Sequence, residues 1–258
     1  MNAIRRLTDP VQPRARLVCF PHAGGTASFF QSWRSWIPAD TQSWAVQYPG
    51  RHDRMNEPRA TSMALLLDDV LPELCRSEPL PTVLFGHSLG AAVAFECARR
   101  LPNPPALVIL SARRGPGRPI EDLLADKSDA DLIDGLARLG GIDPQILSNG
   151  ELVELMLPIL RADCKLSETY APDPRHPIEV PLLVCVGDSD PAVSVDDILA
   201  WESATISAFA HRVYPGGHFY LRDHAAALVR AAVDATTTAG SQAAPVSVTG
   251  RMSWPTSR

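Results

Sequence analysis

The chain has 258 residues, 45% of them hydrophobic and 21% charged, a composition that excludes a disordered or fibrous protein. Its net charge of −5 argues against a nucleic-acid binder, and no apolar run reaches the roughly 18 residues of a membrane span. No apolar stretch follows the arginines of residues 1–16, so no secretory leader is expected. Cys19, Cys75, Cys97, Cys164 and Cys185 are scattered without a C-x-x-C, which points to reduced thiols and a cytoplasmic location.

Residues 1–15 are polar and proline-containing and read as a loose lead-in. Arg16 to Phe20 reads as a strand, followed by the small-residue loop Pro21 to Ser28. Phe29, Phe30, Trp33, Trp36 and Ile37 recur at helical spacing, so Ser28 to Ile37 is expected as a core-facing helix stopped at Pro38. Trp44 to Tyr48 reads as a strand, and Met63 to Leu74 as an amphipathic helix. Val83 to Phe85 is an uncharged run expected as a buried parallel strand, and the Ala-rich stretch before Leu101-Pro102 as a helix stopped by proline. Ala106 to Ser111 is another buried strand. Alternation then breaks: residues 113–177 hold helical segments at Ile120 to Ala125, Asp129 to Leu139 and Glu151 to Tyr170. These are expected to form a helical lid inserted over the sheet edge. Strands return at Val180 to Val186 and Ala210 to Tyr214, and Arg222 to Thr236 is the last helix. The expected division is 16–112 and 178–236 for the two parts of the core, 113–177 for the lid and 237–258 for a disordered tail.

Between the strand at 83–85 and the helix after it lies Gly86-His87-Ser88-Leu89-Gly90, which fits G-x-S-x-G. In a nucleophile elbow the chain turns sharply, the serine is strained, and the glycines stand where neighbouring segments leave no room for a Cβ. The Leu89 N–H then lies at a helix N-terminus, where it stabilises a developing oxyanion, and the loop after the first strand supplies a second donor, assigned by position to Ala23. The competing reading is a tight turn with an inert serine. Asp190 and His218 decide against it: like Ser88, each follows a predicted strand, and the order Ser, Asp, His is that of an α/β-hydrolase. A serine hydroxyl needs a neutral imidazole to take its proton and a carboxylate to hold the imidazole tautomer. Asp188 is the other candidate acid and reads as a turn residue. His22 as base and a cysteine nucleophile rank below this trio. The expected fold class is therefore α/β, an α/β-hydrolase fold with a mostly parallel sheet flanked by helices. No cofactor and no metal are called for.

Taken together, Phe20 to Gly25, Tyr48-Pro49-Gly50-Arg51, Gly86 to Gly90, Leu157 to Asp163, Gly187 to Pro191 and Pro215 to Tyr220 resemble the type II thioesterases of polyketide and nonribosomal peptide synthesis. The resemblance runs in order from 17 to 235. It implies hydrolysis of stalled or wrongly primed acyl groups from the phosphopantetheine arm of an acyl or peptidyl carrier protein, within synthase modules. It also implies Ser88, Asp190 and His218 as triad, Ala23 and Leu89 as oxyanion donors, and a mobile lid. Cys164 stands where that family commonly has a larger, often aromatic, apolar residue. A general carboxylesterase or lipase and a non-catalytic binding protein are the alternatives. Because carrier proteins are acidic and this chain is net negative, docking calls for a local basic patch. Arg51 and Arg54, and Arg113, Arg114 and Arg118, follow strand ends on the expected active-site edge and are the candidates. Neither nucleic acid nor membrane is an expected partner.

Overall fold

Along the central strands successive side chains point to opposite faces, and both faces are apolar, as a strand covered on two sides requires. The strands are β1 (Ile4–Thr8), β2 (Ala15–Phe20), β3 (Thr41–Val46), β4 (Thr82–His87), β5 (Leu107–Ser111), β6 (Leu182–Gly187) and β7 (Phe209–Tyr214). They form one seven-stranded sheet in the order β1-β3-β2-β4-β5-β6-β7. β1 pairs antiparallel with β3, and all other neighbours are parallel. The computed structural model describes residues 2–142, 148–173 and 175–241.

Two cores follow from the alternation. Val18, Leu84, Val108 and Val184 face one side, where they meet α1 (Met63–Cys75) and α2 (Leu89–Ala98). Leu17, Phe85, Ile109 and Leu183 face the other, where they meet the 3-10 segment Ala27–Trp36 and the final helix, which spans Ala225–Ser241. Between β5 and β6 the chain leaves the sheet and forms α3 (Asp129–Leu139) and α4 (Gly150–Thr169). Each begins at a side-chain cap: Ser128 accepts from the Asp131 N–H and Asn149 from the Leu152 N–H. The pair encloses a third apolar cluster that includes Leu124, Leu132, Leu136, Leu160 and Cys164. A short helix, α5 (Val195–Leu199), follows β6, so the final helix is α6. Among the described residues no helix is long and apolar enough to cross a membrane.

Four expectations are corrected. The lead-in is not loose, because β1 lies within it: Ala3, Ile4 and Leu7 are buried, and Glu73 Oε2 accepts from the Ala3 and Ile4 N–H groups at 2.9 and 3.2 Å. The 27–36 segment winds as 3-10 rather than α, and Trp36 is 56% exposed instead of facing the core. Residues 120–125 are not helical, since the Glu168 carboxylate takes the Leu124 and Ala125 N–H groups that a helix would turn inward. The last helix runs on to Ser241. The expected tail from 242 to 258, and residues 143–147 and 174 of the expected lid, lie outside the described residues.

The packing sets one stability test. Phe85 is fully buried, its ring 4.8 Å from that of Trp33 and 6.0 Å from that of Phe30. Phe85→Ala is expected to destabilise the fold by about 3–5 kcal/mol, and Trp36→Ala by no more than about 0.5 kcal/mol. Urea denaturation of the two variants beside the parent checks both values.

Candidate active site

The turn after β4 is held by backbone approach. A Cβ on Gly86 would stand 2.1 Å from the Gly90 carbonyl oxygen, and one on Gly90 would stand 2.0 Å from that of Phe20. The first turn of α2 therefore lies directly on the end of β2. Ser88, between the two glycines, is forced to φ 54° and ψ −114°, a conformation an L-residue rarely adopts. Its N–H donates to the Ser111 carbonyl at 2.8 Å, which pins the strained residue to β5.

His218 and Asp190 arrive from the two neighbouring strand ends. A Cβ on Gly187 would meet the Gly216 oxygen at 2.2 Å, so the loops after β6 and β7 touch through glycine. His218 Nδ1 and Asp190 Oδ2 are 2.8 Å apart, and the Asp190 side chain is wholly buried. Asp190 Oδ1 accepts from the Ala192 and Val193 N–H groups at 2.8 and 3.2 Å, so the carboxylate is held at both oxygens. Asp188 faces solvent and accepts from the Gly216 N–H and the Ser189 hydroxyl. Ser88 and His218 line the same cavity, of about 130 Å³, with Ala23, Leu136, Cys164 and Glu168 on its walls. α3 and α4 thus roof the site.

Two backbone N–H groups lie beside this cavity, that of Ala23, which lines it, and that of Leu89, which follows Ser88. Leu89 is the first residue of α2, where a helix leaves its N–H without an intrahelical acceptor. Among the described residues no acceptor takes the Ala23 N–H. The 22–25 loop is a turn closed by the Gly25 N–H on the His22 carbonyl at 2.9 Å. It is tied down from outside: the Gly24 N–H donates to Asp163 Oδ2 at 2.7 Å, and Asp163 is paired with Arg51 through Nη1 at 2.5 Å and Nη2 at 2.9 Å. The sequence reading missed this pairing, although both residues stand in the stretches that carry the family resemblance. The pair leaves Arg51 only 3% exposed, so it is no surface cation.

Arg113 is corrected likewise. It is 5% exposed and donates to the Ser167 hydroxyl and to the Ser167 and Tyr170 carbonyls. Arg54 is buried against Asp69 and Glu57. Arg114 is half-buried on the Ala192 and Pro119 carbonyls, and Arg118 alone of these five is exposed. Two buried histidines near His218 are kept uncharged. Burial, aided by charge repulsion from His218, pushes His22 down to about 3 and holds His87 well below the usual histidine range. Among the described residues no group of three or more His, Cys, Asp or Glu side chains is placed to hold a metal ion.

A histidine buried neutral in the fold takes up its proton only on unfolding. The unfolded chain therefore binds more protons below the ordinary histidine value of about 6.5, and stability must fall as pH drops from there towards 3. His22 alone contributes a slope of up to about 1.4 kcal/mol per pH unit. His22→Gln is expected to flatten the profile of unfolding free energy between pH 6.5 and 4 relative to the parent, measured by urea melts at each pH.

With this geometry in place, comparison with known proteins is direct. The family described as "Thioesterase domain" matches residues 15–235. The chain is 37% identical over 224 residues to a probable cadicidin biosynthesis thioesterase of Streptomyces griseus, a match covering 86% of this chain and 62% of that one. It thus spans less than two thirds of that relative's length. It is 38% identical over 228 residues to the thioesterase PikA5 of Streptomyces venezuelae, covering 85% and 80% respectively. The type II thioesterase BorB from the borrelidin biosynthetic cluster superposes with a TM-score of 0.82 at 33% identity, over 91% of this chain and 97% of that one. The sheet order, the elbow and these matches agree: the chain belongs to the thioesterase family and has the α/β-hydrolase fold, with type II thioesterases among its relatives.

Proposed function

We propose that the chain is a serine thioester hydrolase that removes acyl groups from the phosphopantetheine arm of acyl or peptidyl carrier proteins, an editing activity within polyketide or nonribosomal peptide synthesis. The relatives from biosynthetic clusters support the substrate class. The observation that carries the chemistry is the Asp190–His218 bond at 2.8 Å in the cavity that the strained Ser88 also lines.

The mechanism follows from these groups. His218 takes the proton from Ser88 Oγ, which attacks the thioester carbonyl carbon. The carbonyl electron pair moves onto oxygen, where the Ala23 and Leu89 N–H groups stabilise it. Asp190 holds the His218 tautomer and stabilises its positive charge. Collapse breaks the C–S bond, and His218 gives its proton to the departing thiolate. Water then attacks the acyl-serine with His218 again as base, releasing the acid and restoring Ser88. Burial keeps His22 and His87 neutral beside this exchange, so His218 is the ring that carries the transferred proton.

The arm reaches Ser88 from an outer groove of about 510 Å³ bordered by Arg114, Gly117, Arg118 and Tyr170. Groove and inner cavity share Arg113, Arg114, Ile120 and Glu168 as walls. α3 and α4 form the lid over the passage. In this reading the exposed Arg118 is the cation that meets the phosphate of the arm or the acidic carrier surface, Arg114 supports the rim, and Arg51 and Arg113 brace the site from within.

Three outcomes test the reading. Ser88→Ala is expected to fold normally and lose turnover by about 10³ or more, and only the parent should show an acyl adduct on Ser88 by mass spectrometry. Asp190→Asn is expected to lower kcat by up to about 10⁴ and Asp188→Asn by less than about tenfold, a ranking read from steady-state kinetics on one acyl thioester. Arg118→Glu is expected to raise KM for an acyl carrier protein at low salt by about five- to tenfold. The same change should leave kcat/KM for a short acyl-cysteamine thioester within about threefold, and equal losses on both substrates would remove Arg118 from docking.

A further inference from the structure

We infer that Asp163, on the lid helix α4, is a positioning residue for the oxyanion donor at Ala23, so that seating of this helix and completion of the oxyanion hole are one event. The inference rests on the proposed hydrolase reading and adds to it a residue that does not touch the reacting atoms.

The argument starts from one face of α4. Leu160 and Asp163, one turn apart, both press on Gly24. A Cβ on Gly24 would stand 2.4 Å from Leu160 Cδ2, and the Gly24 N–H donates to Asp163 Oδ2 at 2.7 Å. Gly24 has φ +74°, which glycine adopts without the penalty that a Cβ brings. The loop is thus moulded on the helix by shape and by a hydrogen bond to a charged acceptor, which is shorter and stronger than a neutral one. The peptide that joins Ala23 to Gly24 is planar, so fixing the Gly24 N–H fixes the plane next to the Ala23 N–H. On the far side the turn is closed by the Gly25 N–H on the His22 carbonyl, and Arg51 Nη1 lies 3.4 Å from the Gly25 carbonyl oxygen. The Ala23 N–H is part of the peptide whose His22 carbonyl is held, and the next peptide is held through the Gly24 N–H, so both planes that set its direction are clamped.

Arg51 makes the clamp rigid. Its two nitrogens hold the two oxygens of Asp163 in the parallel geometry that only a guanidinium offers, with both side chains 4% exposed. The charge on Asp163 is thereby kept inside the fold at the place where the loop needs an acceptor. Past Asp163 the same helix supplies Cys164, Ser167 and Glu168 to the cavity wall. A helix displaced from the core would lose Gly24, and with it the alignment of Ala23. The transition state, whose oxygen carries the charge, is sensitive to that alignment, and substrate binding is not.

The test compares two variants with the parent: Arg51→Gln with Asp163→Asn together, which keeps hydrogen bonding without an unpaired buried charge, and Asp163→Glu alone, which keeps the charge but moves the carboxylate. Whichever variant melts cooperatively in circular dichroism is assayed. We expect kcat lowered about 30- to 100-fold with KM within about threefold, the size of effect that a misplaced donor produces. An acyl trifluoromethyl ketone forms a tetrahedral adduct with Ser88, its carbonyl oxygen becoming the oxyanion. Its Ki should weaken by the same factor as kcat, while the Kd of the matching thioether, which has no carbonyl, should not change. A folded variant with parental kcat and Ki would overturn the inference, and so would equal losses on ketone and thioether, which would mean that Asp163 only shapes the cavity. Ser88→Ala measured alongside keeps the two readings apart, because undiminished turnover there removes the serine mechanism whatever Asp163 does.

Discussion

The contact on which the rest of the molecule depends is the approach of two backbones without side chains between them. Gly90 in the first turn of α2 rests on the Phe20 and Pro21 carbonyls, and Gly86 rests on Gly90. No residue with a Cβ fits either place. The approach forces Ser88 into its strained conformation and sets the first turn of α2 against the end of β2 and the loop after it. The strain is borne by the two apolar layers on either side, whose alternating Val, Leu and Ile side chains leave the strands no freedom to relax it.

Charge is distributed around that point by the same economy. Buried groups there are either neutral or paired. His22 and His87 are held uncharged by loss of solvent, and His87 is joined through Ser111 to Tyr220 by bonds of 3.0 and 2.7 Å. Asp190 has its two oxygens satisfied, and both oxygens of Asp163 are paired with Arg51. Ion pairs so deeply buried contribute little net stability compared with apolar packing. What they supply is geometry, because a bidentate pair admits one arrangement.

The helices between β5 and β6 belong to the site as much as to its cover. α4 carries the polar anchor of the 22–25 loop on one side and part of the cavity wall on the other. A segment that roofs the cavity also holds a wall of it in place, so the helix and the 22–25 loop are mechanically connected. Cys164 lies at that junction, buried in the cluster with Leu160 and Leu136, its thiol pushed up to about 12 by burial. It acts there as a small apolar side chain that leaves room in the cavity.

Much of this was legible in the residues alone. Continuous apolar runs specify buried parallel strands, because a strand covered on both faces has no polar alternative. G-x-S-x-G placed between a strand and a helix specifies the elbow, since only glycine tolerates the contacts made there. Strand ends placed Asp190 and His218 on one edge of the sheet, where the fold brings them to 2.8 Å. Tertiary structure alone decided the rest. β1 was invisible because an edge strand of five residues pairs on one side only and needs no apolar alternation. Residues 120–125 look helical by spacing, yet a carboxylate 43 or 44 positions away takes their N–H groups. Above all, a sequence does not distinguish an arginine that ends in water from one that ends on a buried aspartate. Arg51 and Asp163 are 112 positions apart, and only folding brings them together.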